Sequence, residues 1–330
     1  MSFQALLLSR TDNIIVPEVR SLTPGDLPDG DVLVSVDYSS LNYKDGLAVT
    51  GRGKIIRGTY PFVPGIDLVG TVISSEDKRW QKGDKVIGTG WGIGENTWGG
   101  YSQMQRVQAD WLVPLPDGLT PREAMGIGTA GFTAMLSVIA LEAHGLTPDR
   151  GEVVVTGASG GVGSMSVALL ACLGYQVVAS TGKAFAYDYL NELGAARTIG
   201  RGELAAGPRR AMDKARWAGA VDSVGGTTLA AVLSQLGRHG SVAACGLAGG
   251  HNLTTTIFPF ILRGVNLLGI DSNTCPTPLR RTAWKKLLKV LPSTALAMMY
   301  RVIPLSDVPH MSEEIVSGRI IGRIVVDVNT

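Results

Sequence analysis

Two hydrophobic rhythms divide this chain. In its first third, apolar and polar residues alternate in short runs broken by glycine and proline. Residues 31–38, 68–73 and 85–88 follow this rhythm, with turns such as Lys82-Gly83-Asp84 between them. A period of two predicts strands, and the spacing predicts an all-β, barrel-like module up to about Leu119. From about Arg122 the rhythm lengthens. Residues 131–141 are almost wholly apolar and predict a buried helix. Strand-like runs at 153–155, 177–179, 197–199, 220–226, 241–246 and 265–270 then follow one another. Helical runs at 164–173, 185–193 and 227–236 lie among them, ended by Gly174, Gly194 and Gly237. That alternation predicts a parallel sheet covered by helices. The tail predicts a helix over 278–291 and a last strand over 323–328 that returns to the first module. The expected domains are 1–122 with 271–330, and 123–270 as an insertion, with the active site in the cleft between them.

The chemistry concentrates at Thr156-Gly157-Ala158-Ser159-Gly160-Gly161-Val162-Gly163. These glycines sit where the run at 153–155 turns into a helix. There the backbone can approach a pyrophosphate, and the first free N–H groups of the helix point at it. Ser159, Gly160, Gly161 and Val162 are the expected contacts. The strand at 177–179 runs on into Ser180-Thr181-Gly182-Lys183, where an NAD site would carry a carboxylate for the ribose 2′-hydroxyl. Hydroxyls, backbone N–H groups and an ammonium stand there instead, a set that suits a 2′-phosphate. Arg201, after the strand at 197–199, is placed to add a second cation. The expected cofactor is therefore NADP(H).

Composition narrows the class. The 330 residues are 45% hydrophobic and carry a net charge of only +2. That length suits two domains, and that charge argues against a nucleic-acid or membrane-surface role. The first ten residues have no basic n-region, and their apolar run is too short for a signal peptide or a span. Cys172, Cys245 and Cys275 lack disulfide-framework or zinc spacing, which fits a reducing, cytoplasmic compartment.

The chain resembles the medium-chain dehydrogenase/reductase superfamily along nearly its whole length. The residues that carry the resemblance are Asp84-Lys85-Val86, Gly99-Gly100-Tyr101, Gly128-Thr129-Ala130-Gly131-Phe132-Thr133-Ala134 and the glycine loop. Longer strings make it similar to the zinc-free, quinone-oxidoreductase-like branch that contains NADPH-dependent acrylyl-CoA reductases. They are Ser40-Leu41-Asn42-Tyr43-Lys44-Asp45, Pro64-Gly65-Ile66-Asp67, residues 90–100, residues 244–250 and Pro259-Phe260-Ile261-Leu262-Arg263. The resemblance implies an α/β protein: a GroES-like β-barrel catalytic domain plus a Rossmann domain with a doubly wound parallel sheet, often paired as a homodimer through the Rossmann edge strands. It also implies Tyr43, Leu247, Ile261 and Ser272 as further cofactor contacts.

At the positions where zinc relatives place their ligands, this chain has Asn42-Tyr43-Lys44-Asp45 and Gly65-Ile66-Asp67. No cysteine precedes Cys172, and the histidines are His144, His239, His251 and His310. No metal is expected. Without a Lewis acid the suitable substrate is already activated, such as an unsaturated thioester, an enone or a quinone. Hydride goes to the β-carbon, a proton to the α-carbon, and the developing enolate oxygen needs donors. Tyr43, Asn42 and Arg323 are the catalytic candidates. Tyr43 has three possible tasks: touching nicotinamide, donating to the thioester oxygen or delivering the proton. It can equally be a tyrosine bonded for structure, and Arg323 can equally pair within the tail. Asp67 suits loop orientation or pairing with a cation, and Lys44 and Asp45 suit pairing with each other or with other groups, with no catalytic role needed. Arg280, Arg281, Lys285, Lys286 and Lys289, or else Arg52, Lys54 and Arg57, are the candidates for coenzyme A phosphates, and each group can also be a solvated face. Trp91 and Trp98 either shape an acyl pocket or pack. The implied activity is NADPH-dependent reduction of acrylyl-CoA to propanoyl-CoA on a small acyl-CoA substrate. The alternatives are an NADPH quinone or enone reductase and a non-catalytic NADPH-binding protein.

Overall fold

A computed structural model describes residues 2–330. The chain divides into two compact units. One comprises 1–129, 273–281 and 296–330, and the other 130–272 and 282–295.

The first unit begins with an antiparallel hairpin of β1 (Phe3–Thr11) and β2 (Ile14–Leu22). Asp12 and Asn13 take positive φ at its turn, a conformation that these two residue types tolerate. The main sheet is built around β3 (Val32–Leu41), which pairs with β4 (Asp67–Ser75). Next to β4 runs β5 (Lys85–Thr89), while β6 (Met104–Val107) pairs with β3 and β7 (Leu112–Pro114) with β5. The alternation in Val32, Val34 and Val36 puts three fully buried side chains on one face of β3. A short helix α1 (Tyr43–Val49) follows β3 at once.

The second unit is a six-stranded parallel sheet. Its strands are β8 (Val153–Thr156), β9 (Val177–Thr181), β10 (Arg197–Gly200), β11 (Trp217–Asp222), β12 (Leu236–Ala244) and β13 (Asn266–Gly269). Their order, β10-β9-β8-β11-β12-β13, reverses direction between β8 and β11. That reversal is the switch point of a doubly wound sheet, outside which ligands bind. Valines and alanines bury both faces, as a parallel sheet requires.

Helix α2 (Pro121–Ala143) opens with a capping box between Thr120 and Glu123. It is long and apolar enough to cross a membrane, with a mean hydropathy of 1.7, but 83% of that stretch is buried in the protein. It starts ten residues before the apolar run that signals it and kinks at Gly128, whose backbone is non-helical. In the second unit follow α3 (Gly161–Cys172), α4 (Tyr187–Glu192), α5 (Gly202–Ala205), α6 (Gly226–Gln235) and α7 (Phe258–Arg263). The tail forms α8 (Thr277–Val290), α9 (Ser293–Met299), β14 (Tyr300–Pro304), α10 (Val308–Val316) and β15 (Arg323–Asp327). Strand β15 lies antiparallel to β3 and parallel to β14, so this part of the tail does return to the first sheet.

The expected division at 122/123 and 270/271 needs correcting. Residues 123–129 cluster with the first unit, and 282–295 leave the tail for the second. The physical reason is packing: Trp284 stacks on Phe132, with centroids 6.4 Å apart, and Lys286 pairs with Glu142. The basic stripe on α8 is corrected by the same contacts. Arg280 is 1% exposed and donates to Thr89, and Lys286 is tied to Glu142; Arg281, Lys285 and Lys289 remain exposed. In the other basic group Arg52 pairs with Glu313, while Lys54 and Arg57 are exposed.

Candidate active site

The cofactor loop joins β8 to α3. Gly157 adopts φ 60°, and a Cβ there would lie 2.5 Å from Ser223 Oγ. A Cβ on Gly163 would meet the Gly157 carbonyl oxygen at 2.2 Å, so α3 can pack this close to the strand only with glycine there. Gly160 caps α3, and the helix begins at Gly161 with its first N–H groups free of intrahelical partners. Ser159 Oγ lies 2.8 Å from Thr181 Oγ1, which also accepts from the Lys183 backbone N–H at 3.2 Å. Arg201 donates its backbone N–H to the Thr181 carbonyl. Its side chain lies along Gly182, where a Cβ would meet Arg201 Nε at 2.7 Å. The ends of β8, β9 and β10 thus bring Ser159, Thr181, Gly182, Lys183 and Arg201 together. Lys183 is half-buried, and burial lowers its pKa. At the switch point the buried Asp222 accepts from Thr156 Oγ1 at 2.6 Å and Gly225 N at 2.7 Å, tying β8 to β11. Leu247 lies against Gly225, 60% exposed. Ile261 is 65% exposed on α7, and Ser272 ends the second unit's main segment.

The catalytic candidates belong to the first unit. Register places the end of β3 beside the start of β15, pairing Leu41 with Ile324 and Ser40 with Val325, while Asp67 at the start of β4 faces Thr89. Polar residues at these ends therefore meet. Asp67 is fully buried. Its Oδ2 accepts from Ser40 Oγ at 2.5 Å, Asn42 Nδ2 at 2.9 Å and Thr129 N at 3.0 Å, and its Oδ1 from Thr129 Oγ1 at 2.5 Å. The Arg323 guanidinium stands 3.8 Å away, 3% exposed as a residue. It donates to Ser40 Oγ, Asn42 Oδ1 and the Gly126 carbonyl. A Cβ on Gly128 would lie 2.6 Å from Asp67 Oδ2 and 2.7 Å from Arg323 Nη2, so the kink in α2 is what leaves room for this pair.

Asn42 caps α1, and Asp45 completes a capping box with it. Asp45 accepts from Asn42 N and Ile66 N, each at 2.9 Å. Burial, and then the Asp67 carboxylate, raise its pKa to about 7 against the pull of these hydrogen bonds. Burial also drives Tyr101 well above the usual phenol range and lowers Arg323. Lys44 does not pair with Asp45: its Nζ reaches Glu95 at 2.7 Å.

Asn42 and Arg323, two of the catalytic candidates, are both hydrogen-bonded within the protein. Asn42 Nδ2 is spent on Asp67 and Asp45, and Arg323 on Ser40, Asn42 and main-chain oxygens. What they hold is the first turn of α1, where Tyr43 stands 39% exposed. The Asp45 cap and the Asp67–Arg323 pair were missed as a unit because their members lie up to 281 positions apart; the local signal within reach was the Asn42-x-x-Asp45 capping pattern. Trp98 packs against the hydrophobic cluster of the first unit, and Trp91 is partly buried.

The alcohol dehydrogenase GroES-like domain model matches residues 28–117, and the zinc-binding dehydrogenase model matches 161–292. The chain is 54% identical to the acrylyl-CoA reductase AcuI of Ruegeria pomeroyi, over 94% of each chain. The chain belongs to the medium-chain dehydrogenase/reductase family. Two solved members share its fold. Escherichia coli YhdH with bound NADPH is 53% identical, with a TM-score of 0.97 over 99% of this chain and 100% of that one. Bacillus subtilis yhfP with NAD bound is 46% identical, with a TM-score of 0.95 over 99% of each. The fold of a medium-chain dehydrogenase/reductase with GroES-like and Rossmann domains is thus established for this chain.

One of the matching models carries zinc in its name, so the donors at Asn42–Asp67 bear on that metal. They do not fit it. Zinc takes thiolate, imidazole or free carboxylate oxygens. Here Asp67 is spent on four protein donors and faces a guanidinium, and Asp45 is spent on the α1 cap.

Proposed function

We propose that this medium-chain dehydrogenase/reductase reduces the activated double bond of acrylyl-CoA, with NADPH and a proton as co-reactants and propanoyl-CoA and NADP⁺ as products. The observation that carries the reading is the near full-length likeness to an acrylyl-CoA reductase at 54% identity. The cofactor end supports NADPH. The end of β9 and the loop after it, Ser180, Thr181, Gly182 and Lys183, offer hydroxyls, an ammonium and the neighbouring Arg201, and no carboxylate to repel a 2′-phosphate. NADPH supplies the hydride for the β-carbon.

This chain's residues do the rest. Ser159, Gly160, Gly161 and Val162 receive the pyrophosphate on the α3 N-terminus. Leu247, Ile261 and Ser272 are assigned to the remaining cofactor contacts, and Tyr43 to the nicotinamide. Tyr43 is also assigned the catalytic role: its phenol O–H gives the α-carbon its proton, and the tyrosinate so formed is reprotonated from water. Asn42, Asp45, Asp67 and Arg323 fix the α1 turn beneath it. A homodimer is supported by Ile257, Phe258, Leu262 and Leu267, which are exposed on α7, the residue before it and the edge strand β13. Three free cysteines suit a cytoplasmic site. The test is NADPH oxidation by the purified protein with acrylyl-CoA, with propanoyl-CoA measured as product. No turnover with acrylyl-CoA would reject the reading.

A further inference from the structure

We infer that Asp222 is a positioning residue of the cofactor site: its carboxyl sets the loops that receive the nicotinamide half of NADPH and leaves the adenosine half alone. This builds on the cofactor contacts proposed above, and every residue involved belongs to the second unit. A dinucleotide lies across the switch point, one mononucleotide over each half of the sheet. Ser180, Thr181, Lys183 and Arg201 stand at or just past the ends of β9 and β10, on one side of β8. With the 2′-phosphate assigned there, the nicotinamide mononucleotide falls to the loops after β11 and β12, on the other side.

Asp222 ends β11 and is fully buried. Its Oδ1 accepts from Thr156 Oγ1 at 2.6 Å, where β8 passes into the glycine loop, and its Oδ2 from Gly225 N at 2.7 Å, where α6 is capped. Thr156 binds back: its Oγ1 accepts from Ser223 N at 3.2 Å and its carbonyl from Ser223 Oγ at 3.0 Å. The Asp222 carbonyl accepts from Cys245 N at 2.9 Å and from Cys245 Sγ at 3.3 Å, so the loop after β12 hangs on the same residue. That loop then runs along the one after β11. Gly249 N donates to the Val224 carbonyl at 2.7 Å, and a Cβ on Gly246 would lie 2.4 Å from the Ser223 carbonyl oxygen. Leu247 is thereby held against Gly225 with most of its side chain exposed. The donors to the carboxyl are uncharged, so burial prevails and raises its pKa. A carboxyl this costly to bury persists where its satisfied bonds fix one arrangement of the chain. The adenosine end is fixed by other bonds: Ala158 N donates to the Ser180 carbonyl at 3.0 Å, and Ser159 Oγ pairs with Thr181 Oγ1 at 2.8 Å.

The test measures Kd for NADPH and for adenosine 2′,5′-bisphosphate, the adenosine half of the cofactor, in the parent, D222A and D222N, with Tm as a control. D222A strands the Thr156 hydroxyl and the Gly225 N–H. It should raise the Kd for NADPH by about tenfold or more and that for the bisphosphate by less than about threefold. D222N can still accept from Gly225 N and give its amide N–H to Thr156 Oγ1, so it should recover most of the NADPH affinity. If D222A does not fold, T156V removes the same contact from the other side and should show the same split. Equal weakening of both ligands, unchanged NADPH affinity or no recovery in D222N overturns the inference and leaves the cofactor site standing. A parent that binds neither ligand overturns both.

Discussion

Replacing Lys183 with Ala removes the one ammonium that follows β9, and its effect can be worked from the site. A charge-assisted hydrogen bond contributes about 1.5–3 kcal/mol. At about 1.4 kcal/mol per decade, the KM for NADPH should rise roughly 10- to 150-fold. NADH has no 2′-phosphate, so its KM should change little. The fold itself does not decide between the cofactors: yhfP, 46% identical, has been solved with NAD. The preference is therefore assigned to side chains, and those at 180–183 and 201 are the candidates. Initial rates with both cofactors, and Kd values from quenching of protein fluorescence, measure it. Equal weakening of NADPH and NADH would refute the assignment of Lys183 to the phosphate.

Three further outcomes follow from the other unit. Tyr43→Phe should cut kcat by about 10²–10⁴-fold with NADPH affinity unchanged, the range of a lost general acid; parental rates would remove Tyr43 from the chemistry. Arg323→Met breaks a buried ion pair and should destabilise the protein by about 3–5 kcal/mol in urea titration, with loss of activity; a parental midpoint would mean that the network is dispensable. Asp45, raised to about 7, binds its proton more readily folded than unfolded. Its contribution to stability is therefore full near pH 4 and is lost as pH rises to about 7, with no further loss above; Asp45→Asn should flatten that slope, and equal slopes in the two proteins would contradict the shift.

The parts of this protein that were legible in its sequence are those encoded locally. Glycines must stand where a strand turns into a phosphate-binding helix, so the loop at 156–163 announced both the Rossmann unit and its cofactor. Alternation of period two likewise announced β3, β4 and β5. What escaped depends on distant partners. The run at 278–291 reads as a basic amphipathic helix, and nothing local says that Arg280 turns inward to Thr89 while Trp284 stacks on Phe132. The kink at Gly128 is invisible inside a helical pattern, because its cause is the Asp67–Arg323 pair contributed by β4 and β15. Arg323 itself carried no motif; only the β3–β15 register brings it to Ser40 and Asn42.

The central claim, reduction of an activated thioester with NADPH, is tested most directly by one parallel assay. The purified protein is given NADPH with acrylyl-CoA, with crotonyl-CoA and with a simple quinone, and both absorbance and acyl-CoA products are followed. The prediction is one propanoyl-CoA formed per NADPH oxidised, with kcat/KM highest for acrylyl-CoA. A quinone reduced faster than acrylyl-CoA, or NADPH consumed without propanoyl-CoA, would contradict it.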